Sequence, residues 1–298
     1  NFYMTNHQDL IFVPEVELKD NQRMAEENPV RVEVERAVAK VVVSGVPEVV
    51  PHGDRIDNLK WGLDVTNQYT YWMRKMTFIA NSGGVPGEME QLNSGYREER
   101  YAEDPNFTGF SAWNGGNPAG QFEYLSGTPE LTKDFDDYDY TLENTMEAVE
   151  QRHDVTTRVV ISGTYTPNGF GSVATRNSGG ISFYYFKGNA IRVEAMRDMV
   201  NDRNLIPQEL RDAGLEQAIN DVLAWNPNAF NSPTASFSVG GLNFYYEGVC
   251  YYTVLIRHFS NNMVPVLMGY GRYGVVRNNV YQLSINKIIG PGQPVINP

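Results

Sequence analysis

Four carboxylates fall within six positions in Asp134-Phe-Asp-Asp-Tyr-Asp, and clustered hard oxygen ligands of this kind suit Ca²⁺. The run does not follow an EF-hand loop. Asp139 stands at the sixth position, where glycine makes the sharp turn, and Thr145 at the twelfth, where a bidentate Glu is required. A solvated acidic loop is the simpler expectation. The four histidines, His7, His52, His153 and His258, are scattered, and Cys250 is the only thiol, so no zinc ligand set is legible. A lone cysteine in a Tyr-rich strand is expected to serve as a small core hydrophobe, and no intrachain disulfide is possible. No Gly-x-Ser-x-Gly nucleophile elbow occurs. Neither catalysis, nor a metal, nor a cofactor is therefore expected.

The remaining chemistry is recognition. Trp61, Trp72, Trp113 and Trp225 could stack against sugar rings, but Trp61 sits on the apolar phase of a strand and belongs to a core. Trp113 differs, because Ser111-Ala-Trp-Asn-Gly-Gly-Asn-Pro surrounds it with turn formers. It is the candidate recognition aromatic of a surface adhesin or glycan-binding module, the alternative to a structural role. The C-terminal segment suggests that structural role. Tyr281, Leu283 and Ile285 alternate with Gln282, Ser284 and Asn286, the period of a half-buried strand. Beyond Ile289 the pattern stops, and Gly290, Pro291, Gly292, Pro294 and Pro298 deny the tail a helix or a central strand. The sequence predicts a strand with a loose tail, able to close its own sheet or to lie along a neighbour's open edge.

The elements that must position these residues are mostly strands. At 298 residues the chain is long enough for about two domains. Abundant aromatics, with 27 Gly and 16 Pro as punctuation, favour an all-β protein rich in turns. A formal charge of −12 opposes binding to nucleic acid or to anionic membrane surfaces. No apolar run approaches the ~20 residues needed to span a bilayer. Asn1-Phe-Tyr-Met-Thr-Asn lacks a basic region followed by an apolar core and reads as a strand of a chain cut from something longer, rather than as a signal peptide.

Alternation predicts a strand over 30–43, with Val30, Val32 and Val34 on one face and a break in phase before Ala37, Ala39, Val41 and Val43. Further strands are expected at 57–65, 154–165 and 181–186, and a hairpin at 244–258 bending at Glu247-Gly248. Leu215, Ala218, Ile219, Val222 and Leu223 keep helical spacing, so amphipathic helices over 191–226 should cap a sheet. Pro47, Pro51 and Gly53 mark a boundary. The expected organisation is two Greek-key β-sandwich domains: an incomplete N-terminal one at 1–56, and a C-terminal one at 57–298 with a short helical insertion.

Five stretches in order resemble the fimbrillins of Bacteroidetes, the donor-strand pilins called type V, and among them the shaft subunits of minor fimbria. These are Phe2-Tyr-Met-Thr-Asn; Val34-Glu-Arg-Ala-Val-Ala-Lys-Val; Leu59-Lys-Trp-Gly-Leu-Asp-Val-Thr-Asn; Tyr140-Thr-Leu-Glu-Asn with Thr156-Thr-Arg-Val-Val-Ile-Ser-Gly; and Tyr246-Glu-Gly-Val-Cys-Tyr-Tyr with Tyr270-Gly-Arg-Tyr-Gly-Val-Val-Arg-Asn-Asn-Val-Tyr. The resemblance implies a subunit of a surface fimbria on the outer membrane, exported as a lipoprotein precursor and trimmed after an arginine. It further implies polymerisation by strand donation, in support of adhesion, biofilm formation and virulence. The implied partners are copies of the same chain, anchor and tip accessory proteins, and host surface proteins or glycans. Tyr281, Leu283, Ile285, Ile288, Ile289, Val295 and Ile296 would then form the polymerisation strand and tail, with the donor being either the strand at 280–289 or the tail after Gly290. Burying four such side chains in a neighbour would contribute on the order of 6–12 kcal/mol before the entropy of ordering.

Overall fold

A computed structural model describes residues 3–6, 13–15, 18–32, 34–73, 103–107, 120–171, 180–258 and 271–297. In chain order the strands and helices begin with β1 (Met4–Asn6), α1 (Gln22–Glu27), β2 (Val34–Arg36), β3 (Val38–Ser44), β4 (Glu48–Val50), β5 (Arg55–Asp64) and β6 (Thr66–Asn67). Next come β7 (Phe122–Glu123), β8 (Tyr138–Leu142), β9 (Arg158–Thr166), β10 (Phe183–Phe186) and β11 (Asn189–Arg192). Then follow α2 (Val193–Asn201), α3 (Gln208–Asp212), α4 (Leu215–Trp225), β12 (Phe237–Val239), β13 (Leu242–Tyr245), β14 (Val249–Leu255), β15 (Val280–Ser284) and β16 (Lys287–Ile289). The architecture is an all-β sandwich with a helical insertion.

Two three-stranded sheets form the sandwich, ordered β15-β3-β8 and β14-β9-β5. Chain connections cross between them: β3 leads through β4 to β5, β8 to β9, and β14 to β15. Alternation explains the core. Ala39, Val41 and Val43 of β3 face Trp61 of β5 and Val159 and Ile161 of β9, with Tyr281 of β15 closing one side. Each inward chain is flanked along its strand by outward neighbours, as the two-residue period requires. The Trp61 indole N–H donates to the Asp134 carbonyl at 2.8 Å, so even its polar edge is satisfied. A further four-stranded antiparallel sheet, ordered β11-β10-β13-β12, has α2 and α4 packed on it through Met196, Leu215, Ile219 and Val222.

Two expectations change. The stretch 30–43 is two strands: β2 pairs with β1, whereas β3 pairs with β15 and β8. At the break the burial inverts, leaving Val30, Val32 and Val34 exposed and Glu35 buried. The predicted hairpin at 244–258 does bend at Glu247-Gly248, both at positive φ, but its arms diverge. β13 pairs with β10 and β12, and β14 with β9. A Cβ on Gly248 would lie 2.6 Å from the Tyr165 carbonyl oxygen, so this tight bend sends the chain from one sheet into another. β3 and β4 lie before residue 56, and their partners β8, β15 and β16 lie after it. Among the described residues no helix is long and apolar enough to cross a membrane.

Candidate polymerisation strand and its seat

The C-terminal strand is entered through a buried turn. Gly271 through Arg277 are all buried, and Val275 exchanges both main-chain hydrogen bonds with Asn144, at 2.8 and 2.9 Å. Gly274 has φ +115 and a Cβ there would lie 2.3 Å from the Asn144 carbonyl oxygen, so only glycine allows this approach. Arg277 is 1 % exposed. Its Nε donates to Glu143 at 3.0 Å, and its Nη2 donates to the Thr70 hydroxyl and the Tyr71 carbonyl at 3.0 and 2.9 Å. The buried charge is thus paired and its donors are used, the condition under which a buried ion pair is tolerated. Asn279 donates back to the carbonyls of Val276 and Arg277 at 3.3 and 3.0 Å and squares the turn before β15.

A polar cluster backs this turn. Asn144 donates to the Asn67 side chain at 2.8 Å and accepts from the Thr157 N–H at 2.9 Å. Asn67 in turn donates to Asp104, which also accepts from the Asn106 and Thr145 main-chain N–H groups at 2.8 and 3.2 Å. Burial pushes the Asp104 carboxyl up to about 7, against the hydrogen bonds from Asn106, Asn67 and Thr145, which favour the charged form.

β15 then runs parallel to β3, with Tyr281 opposite Val41 and Leu283 opposite Val43. Tyr281 is buried, and its hydroxyl accepts from the Val276 N–H at 2.8 Å and bonds His258 Nδ1 at 2.7 Å. Leu283 and Ile285 pack on the sandwich core, while Gln282, Ser284 and Asn286 face solvent. β16 continues parallel to β4, burying Ile288 and leaving Ile289 74 % exposed.

Past Ile289 the chain crosses the side of the sandwich. Gly290, at φ +68, donates to the Val50 carbonyl at 2.8 Å and accepts from the Tyr252 hydroxyl at 2.9 Å. The Tyr245 hydroxyl donates to the Gly292 carbonyl at 2.6 Å. Burial holds both phenols above their ordinary range, so they stay protonated donors. A Cβ on Gly292 would lie 2.1 Å from the Tyr251 carbonyl oxygen. Gln293 then exchanges both main-chain bonds with Tyr251 at 2.7 and 2.8 Å and extends the β14 edge. Ile296 does the same with Gly127 at 2.8 and 2.9 Å, and its side chain is buried among Leu131, Val160 and Tyr251. Val295 is half-buried. The loose tail expected from its glycines and prolines is therefore corrected: main-chain pairing and two tyrosine hydroxyls hold it, and none of these needs an apolar pattern in the tail itself.

The segment from β13 to the tail also decides the comparison with known proteins. Residues 243–298 match the family model of the major fimbrial subunit protein type IV, fimbrillin, C-terminal. The matched region begins in β13 and contains β14, the Arg277 turn, β15, β16 and the docked tail. The match supports a fimbrial subunit. No curated protein matches the chain.

The fold brings Tyr281, Leu283 and Ile285 together on the core face and places Ile288 and Ile296 in separate seats. Trp113 lies outside the described residues. In the acidic run, Asp134 pairs with Lys60 at 2.6 Å and Asp139 with Lys133 at 3.9 Å. Among the described residues no three His, Cys, Asp or Glu side chains converge on a metal-sized space. Sequence reasoning missed Arg277 with Glu143 and the two tyrosines that grip the tail. An arginine directly following Val275-Val276 was a usable signal, since a charge in an apolar run needs a partner.

Proposed function

We propose that the chain is a structural subunit of a bacterial surface fimbria that polymerises head to tail by donating the segment after Gly290 to a neighbour. One observation carries this choice of donor. The core between the two main sheets includes Tyr281, Leu283 and Ile285 but no residue beyond Ile285. Withdrawing β15 would remove core side chains and strip β3 of a partner. Withdrawing the tail gives up its main-chain pairs and the burial of Ile296, about 1.5–3 kcal/mol. Gly290 supplies the hinge. Strand addition gives affinity through main-chain hydrogen bonds and register through side-chain pockets. A head-to-tail contact of this kind does not close on itself and generates an open filament.

The finer reading is a type V pilin in the shaft of a minor fimbrium, exported as a lipoprotein precursor to the outer membrane, assembled with anchor and tip proteins and contributing to adhesion and biofilm formation. It rests on the ordered motifs, while the match over 243–298 supports the coarser reading of a fimbrial subunit. Because β2 pairs with β1 whereas β3 and β4 pair with C-terminal strands, we place the boundary of the N-terminal domain near residue 37 rather than 56. Deleting residues 291–298 is expected to leave the subunit folded, with nearly unchanged circular dichroism, and to abolish filaments in electron micrographs. Filaments of normal length from that variant would refute the assignment.

A further inference from the structure

The described residues cover only part of the β5, β9 and β14 face turned away from the sandwich core. Near Val160 and Tyr251 it carries Leu131 and Ile296, but beyond them it opens into two adjoining clefts of about 360 and 330 Å³. They share Asn58, Thr164 and Val249, so they form one groove across β5, β9 and β14. This volume is in the range of small-ligand sites.

The groove is shaped by two unusual backbone positions. Asn58 lies in the bulge between Asp57 and Lys60 of β5 at φ 55, and Glu247 lies in the bend before β14 at φ 51. Both are non-glycine residues in the left-handed region, and both line the groove. Asn enters this region readily, whereas Glu247 carries a conformational penalty there of the kind that clusters at functional sites. Around them the chemistry is hydroxylic and amide-like. Thr164 sits on the floor, Arg55 is held by Asp57 at 2.8 Å, and the half-buried Tyr246 offers an aromatic wall.

We infer that this groove binds a neutral saccharide. Planar amide, carboxylate and guanidinium groups match the paired donors and acceptors of vicinal hydroxyls. Tyr246 and Val249 suit the apolar face of a sugar ring. Charge selects against anionic sugars and phosphates. Arg55 is engaged by Asp57, Glu130 and Glu247 add negative charge, and the whole chain carries −12. The inference is distinct from strand donation, although Leu131, Val249 and Tyr251 both line the groove and pack against Ile296 of the tail.

Saturation-transfer NMR on the full chain tests it, with methyl mannoside, methyl galactoside and N-acetylglucosamine as neutral probes and sialyllactose as the anionic one. Saturation is expected to reach at least one neutral probe. Asn58→Gly and Glu247→Gly are expected to weaken that binding by about tenfold or more. Glycine accepts both backbone angles, so thermal unfolding should confirm that the fold is retained. Absence of transfer to every neutral probe at millimolar concentration would overturn the inference. So would equal binding of sialyllactose, or binding that both glycine variants leave intact. If the glycine variants alter filament assembly without any sugar response, the groove is a contact between subunits and the saccharide assignment fails.

Discussion

At the residue scale, the seat of the C-terminal strand depends on buried polar groups whose roles are set by their partners. Arg277 and Glu143 neutralise each other at 1 % and 2 % side-chain exposure, so removing either would leave a charge without water or partner. Asp104 is the opposite case, a buried carboxyl that accepts hydrogen bonds from neutral groups. Its folded value of about 7 lies above the ordinary 3.8, so between those values the folded state holds more protons than the unfolded one. The stability this group contributes is fully present below about pH 4 and is lost as pH rises through about 7. Asp104→Asn is expected to flatten this part of the stability curve, removing on the order of 4 kcal/mol of pH-dependent loss. Denaturant unfolding of both proteins at intervals from pH 4 to 8 measures it, and parallel curves would show that Asp104 does not titrate there.

At the element scale, the tail and the strand before it are held by different forces. β15 is fixed by side chains in the core; the tail is fixed by main-chain pairing and by the Tyr245 and Tyr252 hydroxyls. At about 0.5–1.5 kcal/mol per hydrogen bond, Tyr245→Phe with Tyr252→Phe should raise the detached population by roughly one order of magnitude or more. Hydrogen exchange at Gln293 and Ile296 is expected to accelerate accordingly, with Val41 and Val159 unchanged. This division explains what could be read in advance. The alternation of Tyr281, Leu283 and Ile285 was legible because burial on one face leaves a period of two. The parallel pairing of β15 with β3 was not, since the register Tyr281 to Val41 joins residues far apart in sequence. Nor was the docking of the tail, because backbone hydrogen bonds leave little trace in side-chain pattern. The split between β13 and β14 was hidden for a related reason: adjacent strands joined by a tight turn look like a hairpin whether or not they pair.

For the whole molecule, the sandwich joins early and late parts of the chain, with β3 and β4 receiving the C-terminal strands and β14 receiving the tail. Pairing between parts this distant in sequence makes folding slow, because loop-closure entropy opposes it. The tail rests at home on a seat that mimics strand addition, and on the proposed mechanism filament growth has it exchange this seat for one on a neighbour. The most direct measurement places a photo-crosslinking benzoylphenylalanine at Val295, a half-buried tail position, in assembled filaments. Strand donation predicts covalent ladders joining successive subunits, with the crosslinked peptide mapping to a different copy of the chain. Crosslinks confined within single subunits, to the 125–131 segment or to β14, would contradict it.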